Sequence, residues 1–268
     1  MKKNGMIGFI GLGNMAKAMI GGMLEKGIVD IERIIGSAKT ERTAKEAAGK
    51  FHIQTTTDNK MVAGNAKIVF LAVKPQLLEN VIAEIRDCIT DDTLIVSIAA
   101  GKTMEEITKM FGREISLVRC MPNTPALVGE GCTGVCRNEK VTGEEFDCVM
   151  ELLSSFGSAS EVPERLMDAV VGVSGSSPAY VFLFIEAMAD GAVAAGMPRK
   201  QAYEFAAQAV LGSARMVLET GKHPGELKDM VCSPAGTTIE AVRILEEKGF
   251  RGIVMDAMEA CVRKSREM

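Results

Sequence analysis

Chemistry can begin at Gly11-Leu12-Gly13-Asn14-Met15-Ala16, six residues that follow an apolar run and open a helical pattern. The spacing is GxGxxA. In such a turn Gly11 makes the tight bend, Gly13 leaves room for a pyrophosphate against the backbone, and small Ala16 lets the helix pack close. The helix tip adds free N–H groups and partial positive charge, so Gly11, Gly13, Asn14 and Met15 are candidate dinucleotide contacts. The end of the second strand selects the cofactor: a carboxylate grips a ribose 2′-hydroxyl, and a cation accommodates a 2′-phosphate. Here Gly36-Ser37-Ala38-Lys39-Thr40 is followed by Arg42, while Asp30 and Glu32 precede Ile34-Ile35 at the wrong edge. The expected cofactor is therefore NADP, with NADPH preferred and NADH left open. Ser37 and Lys39 are the expected phosphate contacts and Arg42 a further candidate, although a solvated helix start accounts nearly as well for either cation alone.

Ligands of parallel sheets sit outside the carboxyl ends of the strands. Residues that follow the later apolar runs should therefore extend the cleft: Ala72, Val73, Lys74 and Pro75, then Ala99, Ala100 and Gly101, then Pro122 and Asn123. Lys74 precedes a proline and is held extended. Asn59 could reach the adenosine side or simply make a turn.

These candidates need a scaffold, and the apolar pattern supplies one. Runs at Met6–Ile10, 33–37, 68–73, 94–98 and 115–120 alternate with helical periodicity, which is the rhythm of βαβ units. Their continuous apolar character suits strands buried on both faces of a doubly wound parallel sheet. After Phe156 no further strands are expected. Helical patterns follow at 201–220, Thr237–Glu247 and 251–263, and the stretch 179–195 is apolar almost all round. Such a helix needs enclosure, most simply in a bundle shared between subunits. The charged break Glu161-Val162-Pro163-Glu164 divides an α/β domain, 1–162, from an all-α domain, 163–268.

A chain of 268 residues suits two domains of ordinary size. A net charge of −4 and 4% aromatic residues offer neither a phosphate-tracking stripe nor a base-stacking platform, so nucleic acid is not an expected partner. No apolar run is read as reaching the ~18 to 20 residues that cross a bilayer. The start, Met1-Lys2-Lys3-Asn4-Gly5, has no signal-like apolar core, which points to the cytoplasm. Seven cysteines without a CxxC pair, and two histidines (His52, His223), predict mostly buried reduced thiols and no metal site.

Longer segments carry a resemblance. The stretches "FIGLGNMAKAMIGG", "LAVKPQ", "RCMPNTPALVGEGCTG", "VSGSSPAYVFLFIEAMADGA" and above all "HPGELKDMVCSPAGTTIEAVRILEEKG" make the chain resemble the pyrroline-5-carboxylate reductase family along essentially its whole length. The resemblance implies an N-terminal Rossmann domain and a helical domain that interlocks two subunits, with homodimers assembled into a larger ring. It also implies reduction of 1-pyrroline-5-carboxylate to L-proline by NAD(P)H, the last step of proline biosynthesis.

A substrate with a carboxylate and a C=N bond needs an anion cradle and a polar group near nitrogen. Ser233 and the free N–H groups of Gly236, Thr237 and Thr238 are expected to bind the carboxylate. Thr238 is expected to face the imine nitrogen as the catalytic group, unless both threonines are merely helix caps. Ser174 and Ser176, at a second helix start, should line the same cleft, unless that segment is simply a capped helix. Ser177 and Ala235 stand where the family usually has glycine. Glu186 and Asp190, one helical turn apart, are expected to be a buried structural pair, with ordering of a substrate-side water as the alternative. A β-hydroxyacid dehydrogenase, a related imine reductase and a non-catalytic NADP-binding sensor are the rival readings. The first normally uses a lysine on a helix of its second domain, and Lys200, Lys222 and Lys228 all stand in polar surroundings.

Overall fold

A computed structural model describes residues 5–267, so the expectation placed on residues 1–4 lies outside the described residues. The chain divides into two compact units, Met1–Ser176 together with Cys261–Met268, and Ser177–Ala260.

The first unit runs β1 (Met6–Ile10), α1 (Asn14–Glu25), β2 (Ile34–Ser37), α2 (Glu41–Phe51), β3 (Gln54–Thr56), α3 (Asn59–Asn65), β4 (Ala66–Leu71), α4 (Pro75–Ile85), β5 (Leu94–Ser97), α5 (Met104–Phe111), β6 (Ser116–Met121), β7 (Gly131–Arg137), α6 (Gly143–Leu153), β8 (Gly157–Glu161) and a short α7 (Met167–Val170) that continues into a π-turn, Val171–Gly175. The strands form one sheet in the order β3-β2-β1-β4-β5-β6-β7-β8. All neighbours are parallel except β6 and β7. The order reverses direction between β1 and β4, which opens a crevice there at the carboxyl edge.

Alternation along the strands separates two cores. Ile7, Phe9, Ile68, Phe70, Leu94 and Val96 face one helical layer, while Ile10, Val69, Leu71 and Ile95 face the other. Phe9 and Phe70 are register partners and stack with ring centroids 4.7 Å apart. The helices are closed by local chemistry: Thr103 with Glu106 and Thr142 with Glu145 form capping boxes at the starts of α5 and α6. β8 corrects the expectation that strands end at Phe156. It escaped notice because Gly157, Ser158 and Ser160 give it no apolar alternation.

The second unit holds α8 (Ser177–Ala194), α9 (Arg199–Thr220), α10 (Pro224–Val231), α11 (Thr237–Glu247) and most of α12 (Phe250–Arg266). In the single chain, α8 is not enclosed: Pro178 and Ala189 are its buried residues, whereas Phe182, Leu183 and Met188 are exposed. Glu186 and Asp190 are exposed rather than buried, and Asp190 pairs with Arg199. The expected absence of a bilayer-length apolar stretch is also corrected. One helical stretch, Glu164–Ala194, is long and apolar enough on length and composition to cross a membrane.

Among the described residues no cysteine forms a disulfide, and the thiols are less buried than expected. Cys120 and Cys136 are inside, Cys132 is exposed, and the other four are half-buried. Burial pushes the Cys136 thiol up to about 12, with Glu164 adding to the rise, and burial also raises Cys120 well above its ordinary value. Both are therefore protonated and poor metal ligands or nucleophiles. Among the described residues no cluster of three or more metal-ligating side chains occurs.

Candidate active site

The candidate dinucleotide contacts gather around the β1–β4 crevice. Gly11 has φ +98°, and a Cβ there would lie 2.7 Å from the Ala72 carbonyl oxygen, so the bend requires glycine. Its N–H donates to the Ser37 carbonyl, and the Ala72 N–H donates to the Ile10 carbonyl, which locks the ends of β2, β1 and β4 together. Gly13 is different. A Cβ at that position would meet nothing within 4 Å, and α1 has no side-chain cap on its tip. Space and unclaimed N–H donors at Asn14 and Met15 are what a dinucleotide phosphate requires, so the residues present fit NADP.

The neighbouring candidates fall on the same edge. Ser37 ends β2 fully buried, and its hydroxyl donates to Asn59 Oδ1 at 2.7 Å, while Asn59 Nδ2 donates to Glu84 at 2.8 Å. Ser37 therefore meets Asn59 in a protein hydrogen-bond chain instead of standing free, and Asn59 is the first residue of α3 rather than a plain turn residue. Lys39 and Arg42 are exposed beyond β2, and Arg42 reaches Glu46 at 3.9 Å. Val73 packs by Gly11, and exposed Lys74 precedes α4 with Pro75 in its first turn. The Ala99 N–H donates to Ser97 Oγ at 3.3 Å, Ala100 follows, and Gly101 turns the chain with φ +70°. Pro122 is buried beyond β6, and Asn123 spends both ends of its amide on protein partners.

One cluster was missed from the sequence. Arg119 on β6 is buried and donates to Glu164 at 2.9 Å, and the same carboxylate accepts the Met104 N–H at 2.7 Å. The signal was an arginine inside the apolar run "LVRCM", which demands a partner when buried.

The substrate candidates of the second unit lie on a turn into α11. The Gly236 N–H donates to the Ser233 carbonyl at 3.0 Å and closes the turn, which corrects the expectation that this N–H is free. Ala235 takes φ +55°, a conformation that favours glycine. A Cβ on Gly236 would lie 2.4 Å from Ser233 Oγ. Gly236 is itself the N-cap of α11, without a side-chain cap, so Thr237 and Thr238 occupy the first helical positions and cap nothing. Thr237 is exposed and Thr238 half-buried. Ser174 and Ser176 stand at the π-turn of the first unit: Ser174 Oγ donates to the Val170 carbonyl at 3.0 Å, and Ser176 Oγ accepts from Cys261 Sγ at 3.1 Å. Lys222 and Lys228 are tied to Glu226 and Asp229, and Lys200 is exposed, so the lysine chemistry of the rival dehydrogenase has no support here. His223 caps α10 by accepting the Gly225 N–H, and exposed His52 ends α2 in a left-handed conformation.

Comparison with known proteins adds the decisive observation. A reductase from Escherichia coli (strain K12), named pyrroline-5-carboxylate reductase, is 52% identical over 262 residues, which are 98% of this chain and 97% of the relative. The chain belongs to the pyrroline-5-carboxylate reductase family. The family profile described as pyrroline-5-carboxylate reductase dimerisation matches residues 164–268, and one described as NADP oxidoreductase, coenzyme F420-dependent, matches residues 6–101. Among solved structures of pyrroline-5-carboxylate reductases, that from Coxiella burnetii superposes with a TM-score of 0.91 at 35% identity, covering 97% of each chain. The Plasmodium falciparum enzyme, solved with NADP bound, gives 0.89 at 32% identity, covering 100% of this chain and 99% of that one.

Proposed function

We propose that this reductase converts 1-pyrroline-5-carboxylate to L-proline with NADPH as reductant, the last step of proline biosynthesis. The observation that carries this reading is the tip of α11, where a glycine N-cap leaves two threonines at an uncapped helix start. N–H donors of Thr237 and Thr238, with the Ser233 hydroxyl, bind the substrate carboxylate, and the helix dipole favours that charge. Ser174 and Ser176 on the π-turn of the first unit, and the Gly236 backbone on the turn into α11, are the further substrate contacts of this reading.

NADPH supplies the hydride when bound at Gly11, Gly13, Asn14 and Met15. Lys39 serves its adenosine end, where the buried Ser37 and its partner Asn59 hold the edge in shape, and Ala72 to Pro75, Ala99 to Gly101 and Pro122 line the remaining edge. Asn123, expected as one of these contacts, has both ends of its amide committed to Cys132 and Ser174 instead. The protein needs no strong acid, because the protonated iminium already carries the proton that stays on nitrogen in the product. The Thr238 hydroxyl orients that nitrogen or relays its proton. Holding the two reactants together in a dry slot supplies at best about 7 to 11 kcal/mol of the barrier lowering.

The exposed apolar faces of the helical unit support a cytoplasmic homodimer in which residues 163–268 carry the substrate and subunit contacts and residues 1–162 the cofactor. The match of residues 164–268 to a profile described as pyrroline-5-carboxylate reductase dimerisation speaks for a protein partner rather than a membrane on the Glu164–Ala194 stretch. Assembly of dimers into a larger ring follows from the family resemblance and is read by light scattering.

Steady-state oxidation of NADPH and NADH with the imine, and with hydroxy acids as controls, tests the reaction: rapid turnover is expected with the imine and none with the acids. Thr238→Ala should lower kcat about 10²-fold with unchanged NADPH affinity. A near-normal kcat would remove Thr238 from the chemistry.

A further inference from the structure

Asn123 lies just beyond β6 with 7% of its surface exposed. Its Oδ1 accepts the Cys132 N–H at 2.8 Å, and its Nδ2 donates to the Ser174 carbonyl at 2.9 Å. These partners fix the amide's orientation, since an N–H must meet the oxygen and a carbonyl the nitrogen. Ser174 belongs to the π-turn Val171–Gly175, in which the Ser176 N–H reaches back to the Val171 carbonyl at 2.8 Å. Single π-turns of this kind concentrate at functional sites. The residue four places after Ser174 is Pro178, which has no N–H, so the Ser174 carbonyl is denied its α-helical donor. Asn123 supplies one from a strand end, 51 residues away in sequence.

The turn is also seated against the same strands. A Cβ on Gly175 would lie 2.8 Å from Met121 Cε, and one on Gly134 would lie 2.7 Å from Val170 Cγ1. Two glycines thus let the turn and the strands approach closely, Gly175 toward Met121 of β6 and Gly134 of β7 toward Val170. Both serines expected at the substrate, Ser174 and Ser176, ride on this backbone.

We infer that Asn123 is a positioning residue for imine reduction: it holds the π-turn through the Ser174 carbonyl and so sets the two serines, instead of contacting the cofactor. The inference rests on the reductase reading above. Asn123→Asp keeps the acceptor for Cys132 and removes the donor to Ser174, and the uncharged Asn123→Ser shortens the side chain away from both. In either variant kcat should fall about 10- to 100-fold and the imine KM rise, with the NADPH Kd within about twofold of wild type. The deuterium isotope effect on kcat with 4-deuterated NADPH should grow as hydride transfer becomes slowest, a change that loss of stability alone does not produce. If Asn123→Asp does not fold, Asn123→Ser carries the same test. Wild-type kcat and isotope effect in the variants would overturn the inference, as would a loss of NADPH affinity parallel to the loss of rate. A wild-type enzyme that oxidises no NADPH with this imine instead overturns the reductase reading itself.

Discussion

In the sheet unit Phe9 and Phe70 stack without any exposed surface, whereas in the helical unit Phe182, Leu183 and Phe205 are 62%, 67% and 65% exposed. The sheet completes its own core, because crossing helices cover both faces of every central strand. The helices cannot do this alone: α8 is apolar almost all round, broken by Glu186 and Asp190, and each fully buried side chain of this size is worth about 1.5 to 3 kcal/mol. One half of the molecule thus completes its core from its own sequence, and the other leaves apolar faces for the second copy of the proposed homodimer.

The most severe way to break that contrast is to charge the outward face. Phe182→Glu combined with Leu183→Glu should abolish the dimer and with it imine reduction, at a cost of about 2 kcal/mol or more per side chain. NADPH binding by the sheet unit should survive. Light scattering with turnover measures this, and a fully active dimer would show that the face is not covered.

Next in size are two glycines two residues apart. Gly11→Ala forces a side chain onto φ +98° and toward the Ala72 carbonyl, and should cost about 1 to 3 kcal/mol in thermal or denaturant melts. Gly13→Ala meets no protein atom, so it should melt nearly as wild type while NADPH affinity drops about tenfold or more, the cost of crowding a bound phosphate. Equal melting of both variants would undo the distinction between a folding glycine and a binding one.

A smaller effect belongs to the helical unit. Ala235→Gly should relieve strain at φ +55°, and glycine's extra unfolded-state freedom takes part of that back. The expected result is a gain of up to about 1 kcal/mol with kcat retained, checked by melting and turnover. Smallest is the α5 capping box. The Glu106 carboxyl is held below its ordinary value, first by the Thr103 N–H, so the folded state binds its proton less readily than the unfolded chain. Its contribution is present above the ordinary value of about 4.3 and is lost as pH falls through the lower folded value. Thr103→Ala should cost about 1 kcal/mol at neutral pH, and the difference from wild type should shrink in acid.

The sequence made the central sheet legible because β1, β2, β4, β5 and β6 are covered on both faces and therefore read as apolar runs. It hid β7 and β8 for the opposite reason. Gly131, Gly134 and Gly157 stand where backbone or helix comes within 3 Å of a hypothetical Cβ, so small residues replace the apolar alternation that would announce a strand. The GxGxxA turn and the ends of successive strands could be placed because parallel register brings them to one edge. The Gly236 N–H, the Ser37 to Asn59 bond and the Asn123 bridge could not, since each depends on a turn closing or on a contact between residues far apart in the chain.

The last turn of α12 returns to the first unit, where Ser265 Oγ donates to Asp168 at 2.7 Å and Arg266 approaches the same carboxylate at 3.5 Å. On the ribosome, where N-terminal units fold first, the sheet can assemble once β8 emerges. Asp168 then waits nearly a hundred residues for its partners, so a nascent chain halted before Ser265 would carry a finished sheet with an unclasped C-terminal seam.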